Sequence, residues 1–428
     1  MKEHKISLST AVLLTMNILI GSGILIGPGL IAAGSGNASF LAWPLVALLF
    51  LPLVLCTAQL SNMFPGCGGF YSYAKEGLNK TAGFISGWLY VFGYTFAIAV
   101  DVLAIRKTFI ASGIENWLTL NPILFNIVFL TISFGLNLMG LKFISRILNS
   151  LTITKILPLI ILVLLLPFIL NPSFTITSTE MMNVPFSLPL AIFGFFGFEY
   201  CCSLTHLIEN SEKNAPRAIM FGFLGTGILY TLFHFGLLNL MGADNLAQLG
   251  APAFAQFITL PIPFLKAFLM FLIPIASILT IFAGANGMLN VNSILINSMA
   301  QEKLFLFGKP LTKLNKNNRA PIALFLLCVT AFLMATFIPH IPIVGGLCNL
   351  GVFVSFLFPF LSLFVIQKRK KMYSKLALTI VAISATLGFS IYSWMQLGNS
   401  LNERFINTLP LIIGLVAGYL LFFFRKEK

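Results

Sequence analysis

The sequence predicts an all-α integral membrane protein with twelve membrane-spanning helices, and three observations carry that prediction. Hydrophobic residues make up 58% of the 428 residues and charged residues only 9%, whereas soluble proteins carry about 25% charged residues. The mean hydropathy is +0.96. Apolar runs long enough to cross a bilayer recur along the whole chain. Together these observations exclude a soluble enzyme, a secreted module and a disordered scaffold.

The apolar runs are bounded by glycine, proline, asparagine and charged residues. They occupy 8–33, 39–63, 82–105, 121–140, 147–170, 187–207, 216–241, 264–299, 320–338, 342–366, 373–396 and 407–424. The run at 264–299 exceeds the ~20 residues of one crossing, so we expect one span with a helical extension. The first run continues to Ala33 without an early small-residue cleavage site, so we expect a retained span and not a signal peptide.

The basic residues predict how these spans are oriented. Of the 26 lysines and arginines, 21 fall on the side of the first residue, four (Arg106, Lys107, Lys266 and Arg404) fall on the other side, and Lys155 lies within a span. Cytoplasmic loops are enriched in lysine and arginine, so we expect both termini in the cytoplasm. The net charge of +14 is then a topology signal that faces anionic lipid, and no nucleic-acid partner is expected.

The cysteines and histidines predict neither a disulfide framework nor a metal site. The six cysteines form no Cys-x-x-Cys pair, the spacing that many zinc and redox sites use. His206 and His234 lie on apolar segments without a clustered partner, so we expect packing or a single hydrogen bond for each. No cofactor and no bound metal are expected.

Two predicted spans contain glycine interruptions near mid-membrane. The first carries Ile-Gly-Ser-Gly-Ile at 20–24 and Gly-Pro-Gly at 27–29, and the sixth carries Phe-Gly-Phe-Phe-Gly-Phe-Glu at 193–199. Irregular backbone at membrane depth is tolerated where it lines a cavity or is buried in protein. Paired interruptions in corresponding spans indicate the central site of a transporter. The alternative is that both are small-residue packing surfaces between helices.

The positions of the two interruptions predict an inverted repeat. Spans one and six correspond if ten spans form two units of five, and a five-span unit reverses its orientation when it is repeated. We expect the first unit at 1–170, the second at 187–366 and two additional C-terminal spans at 373–424.

The two interruptions suit a zwitterionic ligand. Unwinding at Gly21–Gly23 frees N–H groups at the start of a half-helix, where the positive end of the helix dipole favours a carboxylate. A break at Gly194–Gly197 frees carbonyls that accept hydrogen bonds from an ammonium group. The expected substrate-binding residues are Ile20, Gly21, Ser22, Gly23, Ile24, Phe193, Gly194, Phe195, Phe196 and Gly197.

Lys155 is an ionisable residue inside a predicted span, where such a residue costs about 2.5–3.5 kcal/mol on the more lenient insertion scale. It lies nine residues beyond Arg146, which is ~13 Å into the span. A functional cation at the first break and a snorkelling or structurally paired lysine are the two interpretations.

Two acidic residues also fall inside spans. Glu199 lies two residues past Gly197, beside the expected place of the substrate amine, and is either a proton-linked carboxylate or a protonated acceptor for loose backbone. Asp101 lies ~28 Å along the third span. We expect it at the outer rim, in an ion pair with Arg106 or Lys107; the alternative is a contact with the substrate.

Four groups of motifs follow one another along the chain. They are Gly-Ser-Gly-Ile at 21–24 with the following Gly-Pro-Gly, the loop 64–74, the segments 196–199 and 209–219, and the segments 298–303 and 319–321. Together they resemble the amino acid–polyamine–organocation superfamily of transporters. The resemblance extends over nearly the whole chain and implies an alternating-access carrier with broken helices in spans one and six.

The chain departs from the pattern of that superfamily in three places. Ser211 stands where many members have proline, and Phe305 to Phe307 replaces a Leu-Pro pair. Phe193 stands where the arginine/agmatine branch has a gating tryptophan, which keeps a stackable ring but speaks against that substrate.

By resemblance, Lys155 stands where sodium-coupled relatives bind sodium, so it would support the broken first helix and act as a proton carrier. Glu199 would be proton-linked, as in members that share it.

The resemblance implies a secondary amino-acid transporter, acting as an antiporter or a proton-coupled symporter in a bacterial inner membrane. Its partners would be a small amino acid, protons and membrane lipid, with the oligomeric state left open.

The alternative within the class is a basic amino acid or polyamine antiporter, but spans six, eight and ten offer only Glu199 as an acid, which favours neutral amino acids. An integral-membrane transferase would need a clustered acid/base pair, and a permease-like nutrient sensor would need a signalling tail.

Overall fold

The protein is all-helical in the part of the chain that its computed structural model describes. That part comprises residues 6–64, 69–111, 115–139, 141–199, 208–258, 263–306 and 308–425, without the side chains of 18, 111, 141–154, 263 and 265. It contains seventeen α-helices and no β-strand. The helices are α1 (Leu8–Leu19), α2 (Gly23–Ser35), α3 (Ala42–Met63), α4 (Phe70–Gly77), α5 (Lys80–Ala111), α6 (Trp117–Leu120), α7 (Pro122–Leu138), α8 (Leu141–Ile169), α9 (Ser178–Phe193), α10 (Ser211–Met241), α11 (Ala243–Leu249), α12 (Pro263–Gln301), α13 (Lys309–Thr312), α14 (Pro321–Phe337), α15 (Ile341–Arg369), α16 (Tyr373–Met395) and α17 (Leu401–Phe423).

Seven helical stretches of the described residues are long and apolar enough to cross a membrane. They are Gly23–Met63 (α2 with α3), Lys80–Ile110, Ser211–Met241, Lys266–Gln301, Ile341–Arg369, Tyr373–Met395 and Leu401–Phe423. Four shorter apolar helices lie at Leu8–Asn17, Pro122–Leu138, Lys155–Ile169 and Pro321–Phe337. Each of the twelve predicted runs therefore contains helix, although α9 begins well before the predicted start at 187 and residues 200–207 lie outside the described part.

The starts of α1 and α10 meet at one end of the helix bundle, which we call the amino-terminal face. The N–H of Glu209 donates to the carbonyl of Ile6 there, with an N···O distance of 3.0 Å. The chain that follows α12 reaches α4 at the same face. Tyr71 and Lys75 both donate to the Glu302 carboxylate, at 2.6 and 2.9 Å. This face therefore joins the ends of helices that are far apart in the sequence.

The start of α9 lies at the other end of the bundle, which we call the opposite face. Thr177 and Glu180 form a capping box, in which the Thr177 hydroxyl accepts from the Glu180 N–H and the Glu180 carboxylate accepts from the Thr177 N–H. Such a box satisfies N–H groups that lack partners within the helix. Glu180 also accepts a hydrogen bond from the Asn37 N–H at 2.8 Å. The start of α9 is thus fixed to the end of α2, which brings the two interrupted spans side by side.

Helix α5 is the most deeply buried of the seven long stretches and packs against α12 and α15. Gly93 of α5 crosses Gly351 of α15 so closely that a Cβ atom on Gly351 would lie 3.0 Å from the Gly93 Cα. Small residues at a crossing let helix backbones approach, as is typical of membrane helices. This close packing places one side of α5 against the centre of the bundle.

Arg319, which the sequence pattern counts among the basic loop residues, is buried instead, with 1% of its surface exposed. Its Nε donates to the carbonyl of Asn137 at the end of α7 (3.0 Å), and its Nη2 donates to Asn290 Oδ1 of α12 (2.5 Å). A cation at the carboxyl end of a helix is favourable, because the last carbonyls lack intrahelical partners. Arg319 therefore ties the start of α14 to two other helices.

Candidate functional site

The first span is interrupted where its glycines predict. Helix α1 ends at Leu19, α2 begins at Gly23, and Ile20 leaves the helical conformation (φ −71°, ψ 95°). The first hydrogen bonds of α2 run from the N–H groups of Leu25 and Ile26 to the carbonyl of Ser22. The prediction of a helix break at this place is confirmed.

The two half-helix ends at this break are satisfied unequally. At the end of α1, Lys155 Nζ donates to the Asn17 carbonyl (2.9 Å) and the Tyr230 hydroxyl donates to the Leu19 carbonyl (2.7 Å). At the start of α2, the Ser22 side chain forms no capping bond. No backbone partner among the described residues takes the N–H of Gly23. The carbonyl end is therefore closed by protein groups, and the N–H end is open.

The second interruption follows α9. Helix α9 ends at Phe193, and residues 194–199 form turns and the start of a 3-10 segment. Gly197 has a φ of +108°, a conformation that side chains with a Cβ atom rarely adopt. Residues 200–207, which were predicted to complete this span, lie outside the described part.

Glu199 fixes the second break to α5. One carboxylate oxygen accepts from the Gly197 N–H (3.1 Å), and the other accepts from the hydroxyls of Tyr90 (3.0 Å) and Tyr94. The residue is buried, and both oxygens are engaged. This arrangement fits the predicted role of an acceptor for loose backbone.

The two breaks touch each other through glycine backbone. A Cβ atom on Gly23 would lie 2.4 Å from the Cα of Gly194, a distance that real Cβ atoms do not reach. The ring of Trp43 fills the other side, because a Cβ on Gly27 or on Gly194 would lie 3.0 or 2.7 Å from it. The glycines therefore act as packing surfaces and as helix interruptions at the same time.

Trp43 is held by the buried His234 of α10. The indole N–H of Trp43 donates to His234 Nδ1 (2.8 Å), and His234 Nε2 lies 3.1 Å from the Ser39 hydroxyl. Packing or a single hydrogen bond was expected for His234, and the structure shows two such polar contacts together with packing on the Trp43 ring. His206 lies outside the described part. No group of residues with metal-ligand character occurs among the described residues. His234 thus orients the ring that supports both breaks.

A cavity of about 220 Å³ lies between the two breaks and is also lined by residues of α5, α8 and α12. This volume is smaller than the ~300–1,000 Å³ of drug-sized ligand pockets, so it suits a small molecule. The lining residues are Asn17, Leu19, Gly21, Ser22, Gly23, Tyr94, Ala97, Lys155, Phe193, Gly194, Phe196, Ala283, Gly284, Gly287, Met288 and Val291.

The structure brings most of the predicted site residues to this cavity. Gly21, Ser22, Gly23, Phe193, Gly194, Phe196 and Lys155 line it. Ile20, Ile24, Phe195, Gly197 and Glu199 are not among its lining residues. The ring of Phe195 instead packs against Phe223, with ring centroids 5.0 Å apart. Glu199 lies behind Tyr94, whose ring forms part of the wall.

Sequence reasoning missed the contributions of α5 and α12. Tyr94 and Ala97 come from α5, and Gly284, Gly287 and Met288 come from α12. Gly284 and Gly287 are three residues apart and therefore share one helix face. This spacing of two glycines could have indicated that α12 faces the site. The run at 264–299, however, showed no interruption of the kind that marks the first and sixth spans.

Asp101 is the clearest correction. We expected an ion pair at the outer rim with Arg106 or Lys107, but Asp101 is fully buried and forms no ion pair among the described residues. Arg106 instead donates to the carbonyl of Thr119 (2.8 Å). Helix α5 extends to Ala111, ten residues beyond Asp101, so its true end lies ~15 Å further along the axis.

The family model for amino acid permeases matches residues 6–420 of the chain. This protein belongs to the amino acid permease family. The permease is a multi-pass membrane protein that carries amino acids by secondary transport. The resemblance to the amino acid–polyamine–organocation superfamily is thereby confirmed.

Individual relatives have related transport activities. The permease is 24% identical to the serine/threonine exchanger SteT of Bacillus subtilis over 439 residues, which cover 100% of this chain and 98% of SteT. It is 26% identical to the putrescine transporter PotE of Escherichia coli over 271 residues, 60% of this chain and 61% of PotE. It is 21% identical to an aspartate–proton symporter of B. subtilis over 339 residues, 75% of this chain and 64% of that protein. These relatives are transporters and not enzymes, so a transferase has no support.

Proposed function

We propose that this permease carries neutral amino acids by alternating access, with the substrate held in the cavity between the two breaks. The observation that carries the proposal is the unequal state of the two half-helix ends. Lys155 and Tyr230 occupy the carbonyls at the end of α1, whereas the open N–H end of α2 faces the cavity at Ser22 and Gly23. Free N–H groups at a helix N-terminus bind anions, and the anion that all amino acids share is a carboxylate.

The ammonium group of the substrate would find acceptors on the same cavity wall. Asn17 lines the cavity, and its side-chain oxygen is buried without a hydrogen-bond partner among the described residues. At the end of α9 the carbonyls of Ala191 and Ile192 accept from the backbone, but those of Phe193 and Gly194 receive no backbone hydrogen bond among the described residues. A zwitterion of short length therefore suits the space between the breaks.

Phe193 is the proposed lid toward the opposite face. Its ring lines the central cavity and also a second cavity of about 140 Å³, which includes Ile341 and Pro342 at the start of α15. The central cavity follows α12 from Ala283 to Val291, in the direction of the amino-terminal face. This arrangement supports a conformation that opens toward the amino-terminal face, with Phe193 between the substrate and the second cavity.

The cavity wall favours a neutral substrate. Lys155 is the single charged residue among the described lining residues. The lining residues from α5 and α12 include the small or apolar Ala97, Gly284, Gly287 and Met288. A cationic side chain buried in such a cavity would need an acidic partner. The alternative, a basic amino acid or polyamine antiporter, has the similarity to PotE in its favour. None of the described lining residues is an acid, however.

The proposed membrane layout is twelve spans with both termini in the cytoplasm. The first five would be 1–170, the inverted second five 187–366, and the last two 373–424. The contact between Gly23 and Gly194 supports the pairing of spans one and six. The basic loops support a cytoplasmic amino-terminal face, since such loops are retained in the cytoplasm.

Lys155 and Glu199 have different proposed roles. Lys155 would hold the end of α1 and link its charge to the transport cycle, because it lines the cavity and contacts the Asn17 carbonyl. Glu199 would hold the second break in shape. Exchange and proton symport both fit this arrangement.

Uptake into proteoliposomes tests the proposal. A labelled mixture of amino acids is offered to vesicles that are either empty or preloaded with the same unlabelled amino acids, with an acid-outside pH gradient on both. Uptake into preloaded vesicles alone identifies an exchanger, and strong uptake into empty vesicles identifies a proton symporter.

Two variants test the cavity as the binding site. Ala97→Leu places a larger side chain in the cavity and should abolish uptake, while Ala417→Leu on the exposed side of α17 should not. Uptake equal to that of protein-free vesicles would contradict the proposal.

A further inference from the structure

Asp101 of α5 is a buried carboxylic acid that the proposed binding mode does not use. Neither of its side-chain oxygens has a hydrogen-bond partner among the described residues, and none of its surface is exposed. An ionised carboxylate in such a place is costly unless it is paired. An acid retained under these conditions is a functional-site candidate.

Asp101 lies directly behind the cavity wall. It follows Ala97 by one helical turn, and Ala97 lines the cavity. A Cβ atom on Gly284, another lining residue, would lie 3.3 Å from Asp101 Oδ2. The hydroxyl of Ser22 is a further neighbour, although it does not reach hydrogen-bond geometry. Three residues of the wall thus separate Asp101 from the substrate space.

The charged groups at the first break are arranged by helix end. Lys155 contacts the carbonyl end of α1, where the helix dipole is negative. Asp101 lies beside Ser22 at the N–H end of α2, where the dipole is positive and favours an anion. The substrate carboxylate would occupy that same N–H end. An ionised Asp101 and a bound carboxylate are therefore like charges that compete for one positive helix end.

We propose that Asp101 binds a proton together with the substrate and thereby couples amino-acid binding to proton uptake. This inference rests on the proposed function and deepens it. A proton from water adds to one carboxylate oxygen of Asp101 as the substrate carboxylate arrives at α2, and it returns to water when the substrate leaves. The net charge beside the start of α2 then stays the same in both states.

The other titratable groups around Asp101 do not replace it in this role. Lys155 of α8 acts on Asp101 by its charge but donates to a backbone carbonyl. Cys348 of α15 is influenced by both Asp101 and Glu199 and carries no charge as a thiol. Glu199 is held by three hydrogen bonds. Helix α12 presents Gly284, which has no ionisable group.

The basic residues that follow Asp101 on its own helix are engaged elsewhere. Arg106 donates to the Thr119 carbonyl, and Lys107 lines a separate small cavity at the opposite face. Neither forms an ion pair with Asp101 in the described part of the chain. When a substrate carboxylate reaches the start of α2, protonation is therefore the available way to neutralise Asp101.

The test is the number of protons taken up when the purified protein binds an amino acid in detergent. Calorimetric titrations with serine, threonine, alanine and leucine are each run in two buffers of different ionisation enthalpy at neutral pH. The variants are Asp101→Asn, Asp101→Ser and the matched control Asp244→Asn, which lies on the exposed surface of α11. We expect uptake of about one proton per bound amino acid in the unaltered protein and in the control, and no uptake in the Asp101 variants.

Two results would overturn the inference. One is binding without proton uptake by the unaltered protein, a measurement that does not depend on any variant being folded. The other is unchanged proton uptake by a folded Asp101 variant. The proposed function fails separately. If the unaltered protein binds none of these amino acids and imports none of the labelled mixture, neutral amino-acid transport is contradicted and the inference falls with it.

Discussion

The two helix breaks differ in how their free polar groups are satisfied. At the first break, charged side chains lie near opposite half-helix ends, with Lys155 on the end of α1 and Asp101 beside the start of α2. At the second break, Glu199 receives hydrogen bonds from backbone and tyrosine, and no base lies against it among the described residues. The first break is arranged for changes of charge, and the second is arranged for a fixed shape.

In the proposed mechanism, this difference lets one cavity serve both binding and coupling. A ligand carboxylate needs an open helix N-terminus, which the first break supplies. The proposed gate is Phe193, which lies at the end of α9 before the turn that Glu199 holds through the Gly197 N–H. Substitutions at the two breaks should therefore change different observables.

The largest effect is expected where the two breaks touch. Gly23→Ala places a methyl group 2.4 Å from the Gly194 Cα, and a backbone atom cannot rotate away, so the two half-helices must separate. Overpacking of this kind costs about 1–3 kcal/mol, and we expect uptake to fall to background and the unfolding temperature to drop. Gly388→Ala in α16, where nothing lies within 4 Å, should leave both unchanged. Normal uptake by Gly23→Ala would refute the contact.

A smaller but still severe effect is expected at the charged end of α1. Lys155→Met keeps the apolar stem but leaves the Asn17 carbonyl without its donor. We expect a destabilisation of about 1–3 kcal/mol and a lower initial rate of uptake, because the end of α1 at the cavity loses its hydrogen-bond donor. Thermal unfolding and initial uptake rates provide the measurements. Lys375→Met on the surface of α16 is the matched control, and equal behaviour of the two variants would exclude a special role for Lys155.

Glu199→Gln should separate the roles of the two breaks. The amide retains an oxygen for the tyrosine hydroxyls but loses one acceptor, so we expect a stability loss of about 1–3 kcal/mol. The pH profile of uptake should keep its shape, because the coupling charge lies at the first break. Uptake measured across a pH series checks this. A flattened profile would transfer the proton role to Glu199.

The smallest effect is expected far from both breaks, at the amino-terminal face. Burial alone would raise the pKa of Glu302, but hydrogen bonds from Tyr71 and Lys75 and the charge of Lys75 lower the pKa below its ordinary value. A lowered pKa means that the stabilisation is present above the pKa of the unfolded chain and is lost as the pH falls through the folded pKa.

The pair Lys75–Glu302 is partly exposed, so its contribution should be about 0.2–1 kcal/mol. Unfolding temperatures of Glu302→Gln and of the unaltered protein should therefore differ slightly at neutral pH and converge in acid. Glu115→Gln, at an exposed position, is the control. A difference that grows as the pH falls would contradict the sign of the shift.

The sequence was a good guide to the first break because the signal is local. The glycines at 21 and 23 lower the local helix propensity, and the structure has the break at those residues. The family resemblance also followed from local motifs and was confirmed by the family match. The predicted roles of Lys155 and Glu199 in coupling stay predictions.

The misplaced residues depend on contacts that are distant in the sequence. Arg319 is buried because Asn137 and Asn290, from two other helices, receive its hydrogen bonds. Asp101 was assigned to the rim because the apolar run ends near 105, whereas α5 continues to Ala111. A hydropathy pattern reports where apolar residues stop but not where the helix stops, so depth within a long helix could not be obtained from the sequence.

The most direct test of the central claim is an experimental structure of the permease with a bound neutral amino acid. The account predicts the substrate carboxylate within about 3 Å of the N–H groups at Ser22 and Gly23, with its ammonium group facing Asn17 and the end of α9. A substrate bound in the second cavity beyond Phe193, or one with its ammonium group at the start of α2, would contradict it.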